Sequence, residues 1–164
     1  MIELAQGTTI INAEVEMVFK YVSNMENYKT WFPGVEEIRS FNELAHGTQG
    51  KQYQEILNLN GEQGQLIIEV KQCKPNELFL TRGDLPGILP QMTIRFLATQ
   101  DNACEMNLQY HGRASELAQN KNLQEMLQQD LHSRTQQGLA RLKQLMESQA
   151  ALINSTNKIA RLFE

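Results

Sequence analysis

The stretch "INAEVEMVFKYVSNMENYKTWFPGV", Ile11 to Val35, decides the reading of the chain. Val15, Val18, Phe19 and Val22 recur at i, i+3, i+4 and i+7, the spacing of one face of a helix. Ser23 or Asn24 is the candidate N-cap of a second short helix, "MENYKTWF", which must end at Pro33 because proline has no N–H and pushes Phe32 out of the α region. Gly34 then turns the chain. Trp31, the only tryptophan, stands beside Phe32, and a helix stop needs neither ring.

Working outward, residues 2–12 carry β-branched residues with loose alternation, so a strand feeds the helix pair. After Gly34 the period becomes two. "VEEIRSF", "KQYQEILNL", "QLIIEVKQC", "ELFLTR", "QMTIRFLAT" and "CEMNLQYHG" read as strands, punctuated by "NGEQG", "KPN" and "QDNA". The Asn60-Gly61 step supplies the positive φ angles of a tight hairpin. Strands at hairpin spacing without intervening helices form an antiparallel meander and exclude βαβ units. About seven strands result, counting the first.

One face of this sheet is apolar: Leu66, Ile68 and Val70; Leu78 and Leu80; Met92, Ile94 and Phe96; Cys104, Met106, Leu108 and Tyr110. The alternate positions, including Glu69, Lys71, Arg95, Glu105, Asn107 and Gln109, belong in water. From about Glu116 to Ala151 the helical period returns, with Leu123, Leu127, Leu131, Leu139, Leu142, Leu145 and Met146 as the cover for that face. Gly138 inside it costs about 1 kcal/mol against alanine, and points either to close approach of helix and sheet or to space left for a ligand. Residues 152–164 are expected to restart after Asn154, with Ser155 or Thr156 as N-cap, as a helical tail outside a domain spanning 1–151.

With 164 residues, 41% of them hydrophobic, the chain has room for one substantial core. The net charge is −4 and no Lys/Arg cluster occurs, so nucleic acid is not an expected partner. The N-terminus lacks a signal-peptide pattern and no apolar stretch reaches membrane-span length, which predicts a cytoplasmic protein, monomer or weak homodimer. Cys73 and Cys104, far apart and without a CxxC pattern, read as reduced thiols. His46, His111 and His132 show no ligand spacing, so neither a metal nor a cofactor is expected.

Three features carry potential chemistry. Arg82 follows Leu78 and Leu80 by parity; it either enters the apolar face, where it must meet an acid or an anionic ligand group, or turns into water beside Asp84. The loop "GDLPGILP" holds Leu85, Ile88 and Leu89, which either pack beneath the long helix or form a portal able to touch an apolar ligand or a membrane transiently. Tyr53, Glu55 and Tyr110 are polar groups with inward parity, Glu55 subject to any bulge in its strand.

The order strand, two short helices, six strands, long helix resembles the START / Bet v1-like superfamily, in particular its polyketide cyclase/dehydrase and lipid-transport group. The resemblance rests on "INAEVEMVFKYVSNMENYKTWFPGV", on Gly50 to Tyr53 as a Gly-x-x-Tyr strand, and on "LARLKQLMES", Leu139 to Ser148, and spans residues 2 to about 148. It implies an α+β helix-grip fold, with a curved antiparallel sheet wrapped around the long C-terminal helix. It also implies a cavity between sheet and helix. Its expected walls are Trp31, Phe32, Tyr53 and Leu57; Ile68, Leu80 and Arg82; Met92, Ile94 and Phe96; Met106, Leu108 and Tyr110; and Leu131, Thr135 and Leu139 of the helix. One ring of the Trp31-Phe32 pair is expected at the mouth and the other as an anchor.

The function so implied is binding or transport of an apolar small molecule such as a lipid, polyketide or quinone. A cyclase/dehydratase-like enzyme, with Tyr53, Arg82 or Tyr110 stabilising an enolate or delivering a proton, is the alternative. A protein-interaction module is the third reading.

Overall fold

The computed structural model describes residues 1–59 and 61–164. Asn60 of the expected Asn-Gly turn lies outside the described residues. The chain runs β1 (Ile2–Ile11), α1 (Val15–Ser23), a 3₁₀ turn (Met25–Asn27), α2 (Tyr28–Trp31), β2 (Val35–Ser40), β3 (Gln52–Leu59), β4 (Glu62–Lys74), β5 (Leu78–Gly83), β6 (Pro90–Ala98), β7 (Cys104–Gly112), α3 (Ser115–Gln119) and α4 (Lys121–Arg161). The strands form one antiparallel sheet in the order β1-β7-β6-β5-β4-β3-β2. This is the helix-grip α+β architecture, a curved sheet closed over a long helix.

Register shifts at Glu3/Ala5, Val35/Glu37 and Val70/Gln72 mark where the strands bend. The third also bears on which face β5 presents. Val70 lies opposite Thr81 and Ile68 opposite Gly83, while Phe79 and Thr81 face Ile94 and Met92 on β6. Phe79 and Thr81 are therefore buried, and Leu78, Leu80 and Arg82 take the outer face. The expected phase of β5 was one residue out, because "LFLTR" offers an apolar residue at either parity and only its neighbours decide between them.

The covering helix also differs from expectation. It does not begin at Glu116: α3 ends before Asn120, whose side chain caps α4 by accepting from the Leu123 N–H at 3.0 Å. Nor does it break at Asn154. No glycine or proline interrupts "INSTNKIAR", and the Thr156 hydroxyl donates to the Leu152 carbonyl at 3.0 Å, a bond made inside a helix, not at its start.

From residue 151 onward every side chain is exposed, Leu162 by 80% and Phe163 by 86%. Residues 152–164 thus contribute no buried side chain to the core, and their removal is expected to leave the thermal midpoint within about 2 °C. Thermal unfolding of the chain ending at residue 151 checks this; a fall of 5 °C or more would show the tail to be part of the folding unit.

Gly138 is a close-approach position, but not against the sheet. A β-carbon there would stand 3.0 Å from the Phe32 ring and 3.4 Å from the Trp31 carbonyl oxygen. The helix leans on the corner at the end of α2, which fixes that corner over one end of the sheet.

Candidate functional site

The interior holds a cavity of about 90 Å³ between α4, the α2 corner and the sheet. Its walls are mostly apolar: Leu4, Phe32, Val35, Leu57, Leu59, Leu66, Leu127 and Leu131, closed on one side by Leu85, Ile88 and Pro90. A second cavity of about 50 Å³ lies deeper, against Met25, Ile68, Thr81, Gly83 and Met92. Both are lined by Tyr28, Glu55, Leu66, Pro90 and Tyr110, so these residues stand between the two spaces. Pockets for drug-sized ligands run from about 300 to 1,000 Å³, so these spaces are small as they stand.

Each polar wall group has a local cause. Glu55 alternates in phase with Tyr53 and Leu57, and its pairs Ile38 and Leu66 confirm an inward direction, since no bulge interrupts β3 against β4. Tyr28 opens α2 one helical turn before Phe32, and the two rings stack with centroids 5.0 Å apart. Tyr110 enters from β7. Arg134 follows Leu127 and Leu131 on one stripe of α4; its Nε pairs with Asp130 at 2.9 Å and its Nη1 donates to the Pro33 carbonyl at 3.5 Å. Gly34, at φ +88°, leaves the room that guanidinium fills: a β-carbon there would overlap Nη1.

The electrostatics centre on Glu55. Burial pushes its carboxyl up to about 7, an effect that the positive charge of Arg134 only partly opposes. It takes part in no hydrogen bond or ion pair among the described residues. Burial likewise holds the Tyr28 and Tyr110 phenols above their ordinary value. Their hydroxyls are bonded to each other, and that of Tyr110 also donates to Met92 Sδ at 3.1 Å. With Tyr28 donating to Tyr110 and Tyr110 to the sulfur, both phenolic hydrogens are used.

Of the expected wall residues, Phe32, Leu57, Ile68, Met92, Tyr110 and Leu131 line one or the other space, as do Leu85 and Ile88 of the loop. Trp31 does not; it is 1% exposed and meets Tyr28 and Phe32 edge-on, behind the wall. Tyr53 is buried at the far end of β3, where its hydroxyl meets His46 Nδ1 at 2.6 Å. Ile94, Phe96, Met106 and Leu108 form solid core, Phe96 edge-on to Phe19 of α1. Thr135 and Leu139 are buried on α4 away from the cavity, and Leu89 packs against the core.

Leu80 and Arg82 lie on the outer face of the sheet, a correction that follows from the phase of β5. Arg82 donates to Gln91 Oε1 at 2.9 Å, and Asp84 accepts from the Ile67 N–H at 2.6 Å, so these two are not partners. Thr81 and Gly83 line the inner space in place of Leu80 and Arg82. Tyr28 and Arg134 were missed by sequence reasoning. The signals were there: Arg134 at i+3 from Leu131 on an apolar stripe, and Tyr28 at i−4 from Phe32.

Among the described residues no cluster of three His, Cys, Asp or Glu side chains could hold a metal ion, and no helix is long and apolar enough to cross a membrane. Cys73 and Cys104 are unbridged.

Comparison with known proteins places this geometry. Solved structures with the same fold include a START superfamily protein from Mycobacterium smegmatis (12% identity over 92% of this chain and 99% of that one, TM-score 0.66) and protein NE0264 from Nitrosomonas europaea (13%, 92% and 97%, TM-score 0.68). A third is the Zhui aromatase/cyclase from Streptomyces sp. R1128 (16%, 87% and 92%, TM-score 0.67). At these identities the likeness establishes the fold alone. No curated protein matches the sequence. The sequence model of the family described as "Polyketide cyclase / dehydrase and lipid transport" aligns with residues 4–147, from the first inward leucine of β1 to the glutamate where α4 leaves the sheet. Nearly all of the sheet, the helix pair, the cavity walls and α4 as far as Glu147 fall within that alignment, and the chain belongs to this family.

Proposed function

We propose that the chain binds a mostly apolar small molecule in the space between the sheet and α4. The observation that carries this reading is the composition of the wall: a ring of leucines and aromatic rings, with the polar groups Glu55, Tyr28, Tyr110 and Arg134 gathered on one side of it. Such a site gains about 25 cal/mol for each Å² of apolar ligand surface removed from water, and uses its few polar groups to set direction. At about 90 Å³ the outer space is small even for one ring, so a ring system, lipid or polyketide requires the wall to open, and the loop carrying Leu85 and Ile88 is a part of it held in neither a strand nor a helix.

The test is a fluorescence titration with naphthalene, a compact apolar probe. Saturable binding of one probe per chain is expected, and Leu57→Trp, which fills the cavity from its wall, should weaken it by more than about tenfold. Binding unchanged by Leu57→Trp would place the probe elsewhere and remove the reading.

A second reading, a cyclase-like enzyme, is favoured by one group only: a buried carboxyl titrating near 7 is suited to taking and returning a proton. Arg82 is outside the cavity and Tyr53 is not on its wall, so of the groups expected to serve this chemistry Tyr110 alone remains.

A further inference from the structure

The two interior spaces are nearly one. The side chains lining both are led by Tyr28 and Tyr110, whose hydroxyls meet across the interior, one carried by α2 and the other by β7. Glu55, 7% exposed, lines both spaces at the same place and makes no hydrogen bond among the described residues. A buried carboxyl without a donor is an expense the fold does not recover from its own groups. A bridge of two phenols beside it is satisfied but replaceable, because Tyr110 keeps Met92 Sδ as a partner when Tyr28 turns away.

We propose that the Tyr28–Tyr110 bridge is a partition opened by a ligand hydroxyl, whose O–H donates to the Glu55 carboxylate while its oxygen accepts from Tyr28. The ligand class is then a hydroxyl-bearing apolar molecule, such as a phenol or a cyclic alcohol. Its ring occupies the outer space among Phe32, Leu57, Leu127 and Leu131. Its oxygen reaches the level of the bridge, and separation of the phenols joins the two spaces. This rests on the binding function proposed above.

The exchange is conservative. One hydrogen bond between phenols is lost, and two are gained, one of them to a charged acceptor and therefore among the stronger kind. It also sets the pH response. The titratable groups facing Glu55 are Tyr28 on α2, Tyr110 on β7 and, on α4, Arg134 with its partner Asp130; β2 and β4 present Ile38 and Leu66. Both phenols are held above their ordinary value, so the acceptor that forms as pH rises through neutrality is the Glu55 carboxylate.

The test compares 2-naphthol with naphthalene on the full chain at pH 8. The wild type should bind the naphthol more than about tenfold more tightly. Glu55→Gln should bring the ratio below about threefold by weakening naphthol binding, and so should lowering the wild type to pH 5.5, which needs no variant to fold. Tyr28→Phe should lower the ratio while raising naphthalene affinity, because the partition is weakened. In a structure of the naphthol complex the two hydroxyls should lie beyond hydrogen-bonding distance of each other.

Equal affinity for both probes overturns this proposal and leaves the binding function standing, whereas failure of both to bind overturns the two together. A naphthol preference that survives Glu55→Gln overturns the role of Glu55. A complex in which the phenols remain bonded overturns the partition.

Discussion

Trp31→Ala is expected to lower the free energy of unfolding by about 3–5 kcal/mol, a large share of the 5–15 kcal/mol typical of a domain. The indole is 1% exposed and sits edge-on to both Tyr28 and Phe32, at centroid distances of 5.2 and 5.8 Å. Among the described residues its Nε1 has no hydrogen-bond partner, so truncation forfeits packing. The void left behind cannot close easily, because the corner is pinned on the other side by Gly138, whose Cα lies against Phe32 and the Trp31 carbonyl. Urea unfolding at constant m-value measures the loss. A cost under about 1 kcal/mol would mean that the corner is free to collapse, and with it the argument that α2 is clamped between helix and sheet. Phe32, the next residue along, lines the cavity instead, so Phe32→Leu should act on probe binding more than on stability.

That division between two adjacent rings was open in the sequence, where Trp31 and Phe32 were only more aromatic surface than a helix stop requires. The fold itself was legible because periodicity is a strong signal when it changes sharply: 3.6 through Val15 to Val22, two from Val35 to Tyr110, 3.6 again from Leu123. What failed was local phase and local ends. In β5, Leu78 and Phe79 are equally fit to be buried, and the choice is made by Met92, Ile94, Val70 and the Val70/Gln72 bulge, none of them local to the strand. At Asn154 a cap-like "NST" suggested a new helix, but an existing helix needs no cap to continue. The candidate site was half legible for the same reason. Glu55 and Tyr110 sit in regular strands whose parity can be counted, whereas the meeting of Tyr28 with Tyr110, 82 residues apart in sequence, is a product of α2 packing over the curved sheet.

The other large effect expected is in the pH dependence of stability. Unfolded, Glu55 titrates near its ordinary 4.5; folded, near 7. Between those values the folded chain keeps a proton that the unfolded chain has released, so the neutral carboxyl favours folding fully below about 4.5 and that advantage is lost as pH rises to 7. Above 7 a buried carboxylate is carried at a cost of roughly 3 kcal/mol. Glutamine cannot ionise. Relative to wild type, Glu55→Gln should therefore gain little at pH 4 and about 3 kcal/mol at pH 8, after any constant difference from packing the amide is subtracted. Paired urea curves across this range read the difference, and a difference flat with pH would show that Glu55 is not held near neutrality by burial. A chain that could gain this much stability by one isosteric change, yet carries the acid beside two phenols in its interior, has the profile of a site kept for a ligand at the expense of the fold.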